Sequence, residues 1–218
     1  MPWQLQPPDY AEIEAAAARI ASACVVTPLL ESPALNARLG GRLLLKAEGL
    51  QRTGSFKLRG AFNRIAQLTD DELKRGVVAY SSGNHAQAVA AAAAARGTQA
   101  VIVMPADAPR TKLEKTRRLG AEIVTYDRSS GDRVAMAKAL VQERGLVLVP
   151  PFDDRRIIAG QGTVGRELSQ QASAMGAMLH SLVVPCSGGG LIAGCALAMQ
   201  ALSPGTQVFA VEPAGFDD

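Results

Sequence analysis

Lys57 stands in the run Thr53-Gly54-Ser55-Phe56-Lys57-Leu58-Arg59-Gly60-Ala61. Glycine and serine precede it and a helical pattern follows, which places the amine in the first turn of a helix. The positive end of a helix disfavours a second cation there. A lysine with a lowered pKa spends more time as the neutral amine, the form that attacks a carbonyl. Capture of an aldehyde as a Schiff base is within its chemistry. Most lysines are simply exposed charges, and the residue taken alone leaves that plainer reading standing.

Two further runs add chemistry of a different kind. Ser81-Ser82-Gly83-Asn84-His85-Ala86-Gln87 follows an apolar strand and opens a helix. Free backbone N–H groups at such a turn hold an anion, here a substrate carboxylate; a plain capped turn is the alternative. Pro185-Cys186-Ser187-Gly188-Gly189-Gly190-Leu191 stands at a second strand-to-helix junction. Adjacent glycines let the backbone wrap a phosphate with N–H groups and helix dipole aimed inward. The run lacks the dinucleotide GxGxxG context and the P-loop lysine, and glycine triplets also occur in loops of no special role.

The elements that must position these runs follow from periodicity. A helix is expected over Tyr10–Ala23, an extended stretch over Thr27–Leu30 and a strand over Leu43–Lys46. Ala47–Gly54 reads as a loop, and Ser55 as the cap of a helix reaching Leu68. Strands Val77–Tyr80, Ala100–Met104, Glu122–Tyr126 and Leu146–Val149 then alternate with helices Ala86–Arg96, Pro109–Leu119 and Asp132–Arg144. A glycine closes each helix, the pattern of a parallel sheet covered on both faces. Pro150-Pro151-Phe152-Asp153-Asp154 breaks the rhythm. After it come helix Thr163–Ala172, strand Ser181–Val184, helix Gly189–Leu202 and strand Gln207–Val211. The expected fold is α/β with two lobes and mostly parallel sheets: a large lobe from 1–74 and 151–218, and a small mobile lobe from 75–150. The chain stops just after a buried-looking strand, so the large lobe is expected to be incomplete and the chain a fragment.

Composition narrows the classes. Aromatics are only 4% of 218 residues, which suits helices packed closely on a sheet better than a β-sandwich. The net charge of +3 is too small to argue for nucleic acid, and the basic residues from Arg110 to Arg118 read as a solvated helix face. Cys24, Cys186 and Cys195 suggest neither a disulfide framework nor a zinc site. His180 has no motif around it. The start does not read as a signal peptide and no apolar run spans a membrane, so a cytoplasmic enzyme without membrane partners is expected.

Taken together and in order, the runs resemble pyridoxal-phosphate enzymes of the tryptophan-synthase-β fold type, and most closely the serine/threonine dehydratases and serine racemases. Lys46 to Ala61, Ser81 to Gln87, Ile158-Ala159-Gly160-Gln161-Gly162-Thr163, Pro185 to Gly190 and Val211-Glu212-Pro213 carry the likeness, which runs from about Thr27 onward. It implies that Lys57 holds the cofactor and later exchanges the Cα proton, beside Phe56. It implies that Asn84 bonds the ring hydroxyl and that Ser187, Gly188, Gly189, Gly190 and Leu191 hold the phosphate. Ser187 departs from the family's frequent glycine but keeps its N–H. Ser82 matches the serine that faces the other side of the cofactor in serine racemases, and Ser81, Ser82, Gly83, Asn84 and His85 form the carboxylate loop. His85 reads equally as a structural helix-start residue.

The implied reaction is β-elimination of L-threonine or L-serine to a 2-oxo acid and ammonia. Glu212, the Phe216 carbonyl and Asp218 resemble the Mg2+ or Ca2+ loop of some members; an exposed acidic loop is the alternative. The family residue that faces the pyridine nitrogen has no counterpart here. A homodimer or tetramer is implied for the full-length protein. Serine racemase activity, a cysteine-synthase-like β-replacement, a role in breakdown of ectoine-type solutes and a non-catalytic remnant or ligand-binding module stay as alternatives.

Overall fold

The computed structural model describes residues 6–215 of the chain. Asp9 starts the first helix. Its carboxylate accepts from the Glu12 N–H, and Glu12 accepts from the Asp9 N–H, so two end groups are satisfied reciprocally. The helix α1 (Tyr10–Ile20) buries Ile13, Ala16 and Ile20 on one stripe. Strand β1 (Leu29–Glu31) runs into α2 (Pro33–Leu39), which Ser32 caps and Pro33 begins. Strand β2 (Leu44–Lys46) pairs antiparallel with β1. A 3-10 turn over Glu48–Leu50 leads to α3 (Lys57–Ile65). A Thr69–Glu72 capping box then starts α4 (Asp70–Arg75).

The regular middle follows: β3 (Val77–Tyr80), α5 (Asn84–Ala95), β4 (Ala100–Pro105), α6 (Arg110–Arg118), β5 (Glu122–Tyr126), α7 (Arg133–Arg144) and β6 (Val147–Leu148). The four strands form one parallel sheet in the order β5-β4-β3-β6. Side chains alternate across it. Val77, Ala79, Ala100, Ile102 and Met104 share a core with α3 and α5, while Val78, Val101 and Val103 pack against Ala137 and Leu140 of α7. Both faces are therefore covered, as the alternating pattern implies.

The last part holds α8 (Arg155–Ala174), β7 (Ser181–Pro185), α9 (Gly190–Leu202) and β8 (Gln207–Val211), with β7 and β8 parallel. Helix α8 starts at Arg155, well ahead of the expected Thr163. Asp154 caps it through bonds from the Arg156 and Ile157 N–H groups. Gly160 and Gly162 weaken a helix by about 1 kcal/mol each, which is why the sequence pattern puts the start after them. Packing overrides that cost. A Cβ on Gly160 would lie 2.6 Å from Gly60 Cα of α3, and one on Gly194 of α9 would lie 2.5 Å from the Gly162 nitrogen. Backbone meets backbone at both crossings, and only glycine permits it.

A second correction falls on Ser55. The residue before α3 is Phe56, no side chain caps the helix, and the buried Ser55 Oγ has no hydrogen-bond partner among the described residues.

Candidate active site

Helix α3 places Lys57 at its first residue, and Lys57 Nζ donates to the Pro151 carbonyl at 2.7 Å. The Phe56 ring centre is 5.4 Å from the amine. No carboxylate pairs with it among the described residues. Burial lowers its pKa to about 8, because desolvation penalises the charged form.

The end of β3 turns into α5 through Ser81 to Gly83, and Ser81 Oγ accepts from the Gly83 N–H at 3.2 Å. The N–H groups of Ser82, Asn84, His85 and Ala86 donate to no backbone carbonyl among the described residues. The Asn84 side chain is exposed at the helix start. His85 is 3% exposed, with Nε2 3.0 Å from the Val149 carbonyl. A carbonyl only accepts, so Nε2 carries the proton, and Nδ1 is left without a partner among the described residues. Burial lowers the His85 pKa to about 4, the Lys57 charge adds to that, and the Val149 carbonyl opposes it. Of the two readings of His85, the geometry favours the structural one for the side chain, while its backbone N–H stays free.

Helix α9 follows Gly189, whose φ of 78° is the left-handed conformation that favours glycine. The N–H groups from Ser187 to Ile192 find no carbonyl acceptor among the described residues. A Cβ on Gly188 would run into the Phe152 ring, whereas one on Gly189 would meet nothing within 4 Å. The turn is thus backed by Phe152 and open in front. Free donors at the positive end of a helix are what a phosphate dianion needs.

One cleft of about 420 Å³ brings together Lys57, Phe56, Ser81, Ser82, Asn84, His85 and the Ser187–Leu191 turn. Gly83 does not line it. Tyr80, Arg133, Phe152 and Cys186 do; Cys186 belongs to the glycine run and Phe152 to the proline break, while no motif marks Tyr80 or Arg133 in the sequence. Arg133 starts α7 with its guanidinium carbon 5.9 Å from the Tyr80 ring centre. The cleft wall holds two cations and no carboxylate. A desolvated amine and two turns of free N–H groups in one cleft fit pyridoxal phosphate and an amino acid side by side.

Glu212 lies just past β8, but Phe216 and Asp218 fall outside the described residues. No three His, Cys, Asp or Glu side chains gather into a metal-holding group among the described residues. No helix among them is long and apolar enough to cross a membrane.

Parallel sheet, buried amine and two helix-start turns of free N–H groups define an α/β protein whose cleft suits a phosphate-bearing aldehyde cofactor. Comparison with known proteins states the family: residues 20–218 match the family model described as pyridoxal-phosphate dependent enzyme, and the chain belongs to that family. It is 44% identical over 211 residues to L-threo-3-hydroxyaspartate ammonia-lyase of Saccharomyces cerevisiae, covering 97% of this chain and 64% of the relative. It is 45% identical over 210 residues to a serine racemase of Oryza sativa, covering 96% and 61%. The solved structure of a maize serine racemase superposes with a TM-score of 0.92 at 43% identity, covering 97% of this chain and 63% of that one. The chain spans less than two thirds of the length of those relatives.

Proposed function

We propose that the protein eliminates water from a hydroxy amino acid such as L-serine or L-threonine, after which water hydrolyses the enamine to a 2-oxo acid and ammonia. One observation carries the reading: a desolvated lysine shares its cleft with two separate turns of free N–H groups. Lys57 would hold pyridoxal phosphate, with the Ser187–Leu191 turn on the phosphate and Asn84 beside the ring. When bound, the cofactor supplies an aldehyde for the substrate amine and a ring that draws electrons from Cα. Lys57, neutral once released, takes the Cα proton. The Ser81–His85 turn holds the carboxylate, and the 75–150 segment moves as a small lobe over the substrate.

Ser82 lines the same cleft as Lys57. That supports a second reading, in which Ser82 returns a proton to the other face of Cα, as a serine racemase needs. Arg133 bears on the substrate instead. A cation on the wall with no ion-pair partner among the described residues suits a second carboxylate, such as that of 3-hydroxyaspartate. A divalent cation at Glu212 is a finer part of the proposal and rests on the sequence resemblance alone. A cytoplasmic location is supported by three free cysteines, Cys24, Cys186 and Cys195.

The test is release of ammonia and 2-oxo acid from L-serine, L-threonine and L-threo-3-hydroxyaspartate by protein loaded with pyridoxal phosphate. Chiral analysis of recovered serine separates elimination from racemisation. Cofactor uptake with neither product would overturn the reading.

A further inference from the structure

We propose that Arg59 is the positioning residue for Lys57: clamped between Glu48 and Glu167, it fixes the first turn of α3 and so aims the amine into the cleft. The inference rests on Lys57 being the cofactor lysine. Lys57 and Arg59 are two positions apart on a helix, about 200° around the axis. One therefore faces the cleft while the other faces the interior. Arg59 is 0% exposed, the largest fully buried side chain among the described residues.

Its guanidinium is fully occupied. Nε and Nη2 donate to the two Glu48 oxygens at 2.8 Å each. Nη1 and Nη2 donate to the two Glu167 oxygens at 2.7 and 2.9 Å. Nη1 also reaches Thr163 Oγ1 at 3.2 Å, and Nη2 the Val25 carbonyl at 3.3 Å. The carboxylates are themselves held. Thr27 Oγ1 donates to Glu48 at 2.6 Å, and Lys46 Nζ donates to Glu167 at 2.7 Å and to Gln171 at 2.9 Å. Two cations and two anions balance. The cluster ties α3 to α8, to Lys46 of β2 and to the 3-10 turn that Glu48 begins.

Such a cluster is a weak source of stability, because the desolvation cost of buried charges offsets much of their attraction. Its geometry is the stronger product, since two bidentate pairs fix one guanidinium plane in space. The first turn of α3 has need of that. No side chain caps it, and Ser55 Oγ and Thr53 Oγ1 are buried without partners among the described residues. The next residue, Gly60, lies so close to α8 that a Cβ there would be 2.9 Å from the Ile157 carbonyl. The clamp and this crossing together leave α3 one register against α8. His85, held neutral, faces Lys57, and Tyr80, Arg133 and Cys186 line the same cleft.

A lysine at 59 keeps the charge but cannot form two bidentate pairs. The test compares the full chain with Arg59→Lys and with Leu140→Ala, a cavity variant in the core beneath α7. Three readouts are taken: melting temperature, pyridoxal phosphate affinity, and the pH midpoint for competitive acylation of Lys57 in the cofactor-free protein. In Arg59→Lys the midpoint should rise by about one pH unit and affinity fall about tenfold, as the loosened amine regains water. Leu140→Ala should lower the melting temperature and leave the other two unchanged. If Arg59→Lys does not fold, Glu48→Gln, which removes one carboxylate charge and keeps the shape, decides by the same readouts. A folded Arg59→Lys with unchanged midpoint and affinity overturns the proposal, as does an equal shift in Leu140→Ala. Borohydride trapping of the parent protein is the separate arm. Label on a lysine other than Lys57 overturns the cofactor reading and this inference together.

Discussion

At the scale of single residues, Lys57 and His85 are two groups whose ordinary charge the fold suppresses, for different ends. Lys57 has no anion to hold its proton among the described residues, and burial lowers its pKa from 10.5 to about 8. The folded protein therefore binds fewer protons than the unfolded chain between about pH 8 and 10.5. Below that window the buried ammonium costs stability, and the cost is relieved as pH rises through it. Acylation of Lys57 in the cofactor-free protein should show a midpoint near pH 8, measured by mass spectrometry against exposed lysines. Lys57→Ala should abolish borohydride-stable cofactor labelling and lower turnover by roughly 10²–10⁴-fold. His85 has the same sign and another window. Its pKa falls from 6.5 to about 4, so the folded protein should lose stability as pH drops from about 6.5 to 4, each pH unit costing about 1.4 kcal/mol at most. His85→Gln should flatten urea-denaturation stability over that range, and an unchanged slope would show that His85 is not held neutral. Sequence placed Lys57 and the two turns because glycine, serine and the strand-to-helix junction are local signals. It left His85 between two readings because the deciding partner, the Val149 carbonyl, is 64 positions away. Arg133 escaped notice for the same reason: a lone arginine at a helix start becomes part of a cleft only when the sheet brings it there. Arg133→Met should weaken any preference for 3-hydroxyaspartate over serine in kcat/KM while sparing cofactor affinity.

At the scale of elements, α8 sets the distance between the amine and the Ser187–Leu191 turn. Helix α3 crosses it at Gly60 and Gly160, and α9 crosses it at Gly162 and Gly194. Helices α3 and α9, which both start at the cleft, are therefore spaced through a third helix by close glycine crossings, with Gln161 of α8 accepting from the Gly60 N–H. Gly194→Ala puts a Cβ 2.5 Å from the Gly162 nitrogen and the Ile158 carbonyl, neither of which can rotate away. Overpacking should cost about 1–3 kcal/mol in urea denaturation. It should also push the start of α9 outward, seen as weaker binding of inorganic phosphate and of pyridoxal phosphate. Gly205→Ala is the control, since a Cβ there meets nothing within 4 Å. Equal behaviour of the two variants would sink this account of α8. The sequence displayed these glycines but pointed the wrong way. Local propensity reads them as breaks, and the approach of α3 and α9 that makes them necessary has no local signature. Helices α2 and α4 went unnoticed for the opposite reason. Their caps, Ser32 with Pro33 and Thr69 with Glu72, stand in the sequence, but each helix is too short for an apolar period to show.

At the scale of the whole molecule, apolar surface is distributed unevenly. The sheet of β3 to β6 is covered on both faces, whereas β7 and β8 pair only with each other among the described residues. Val183, Phe209 and Val211 on those strands are 61%, 47% and 51% exposed, and Leu45 on β2 is 62% exposed. A groove of about 960 Å³ opens between β2 and β7, with Leu168 and Leu182 inside it. The alternating pattern along the chain made the covered sheet legible. It could not reveal that β1 and β2 pair antiparallel across an intervening helix, nor that one wall of the molecule stays apolar. Contiguous exposed apolar surface and a bare strand edge both favour association. A polypeptide of these 218 residues should therefore bind the dye ANS while its far-UV and near-UV circular dichroism stay those of a packed fold, which distinguishes a groove from a molten state. Leu45→Lys combined with Phe209→Lys should reduce dye binding and raise solubility. Neither position lines the Lys57 cleft, so the acylation midpoint of Lys57 should not move. Dye binding that persists in the double variant would place the exposed apolar surface elsewhere. A midpoint that moved with it would mean that the groove and the cleft are coupled rather than separate.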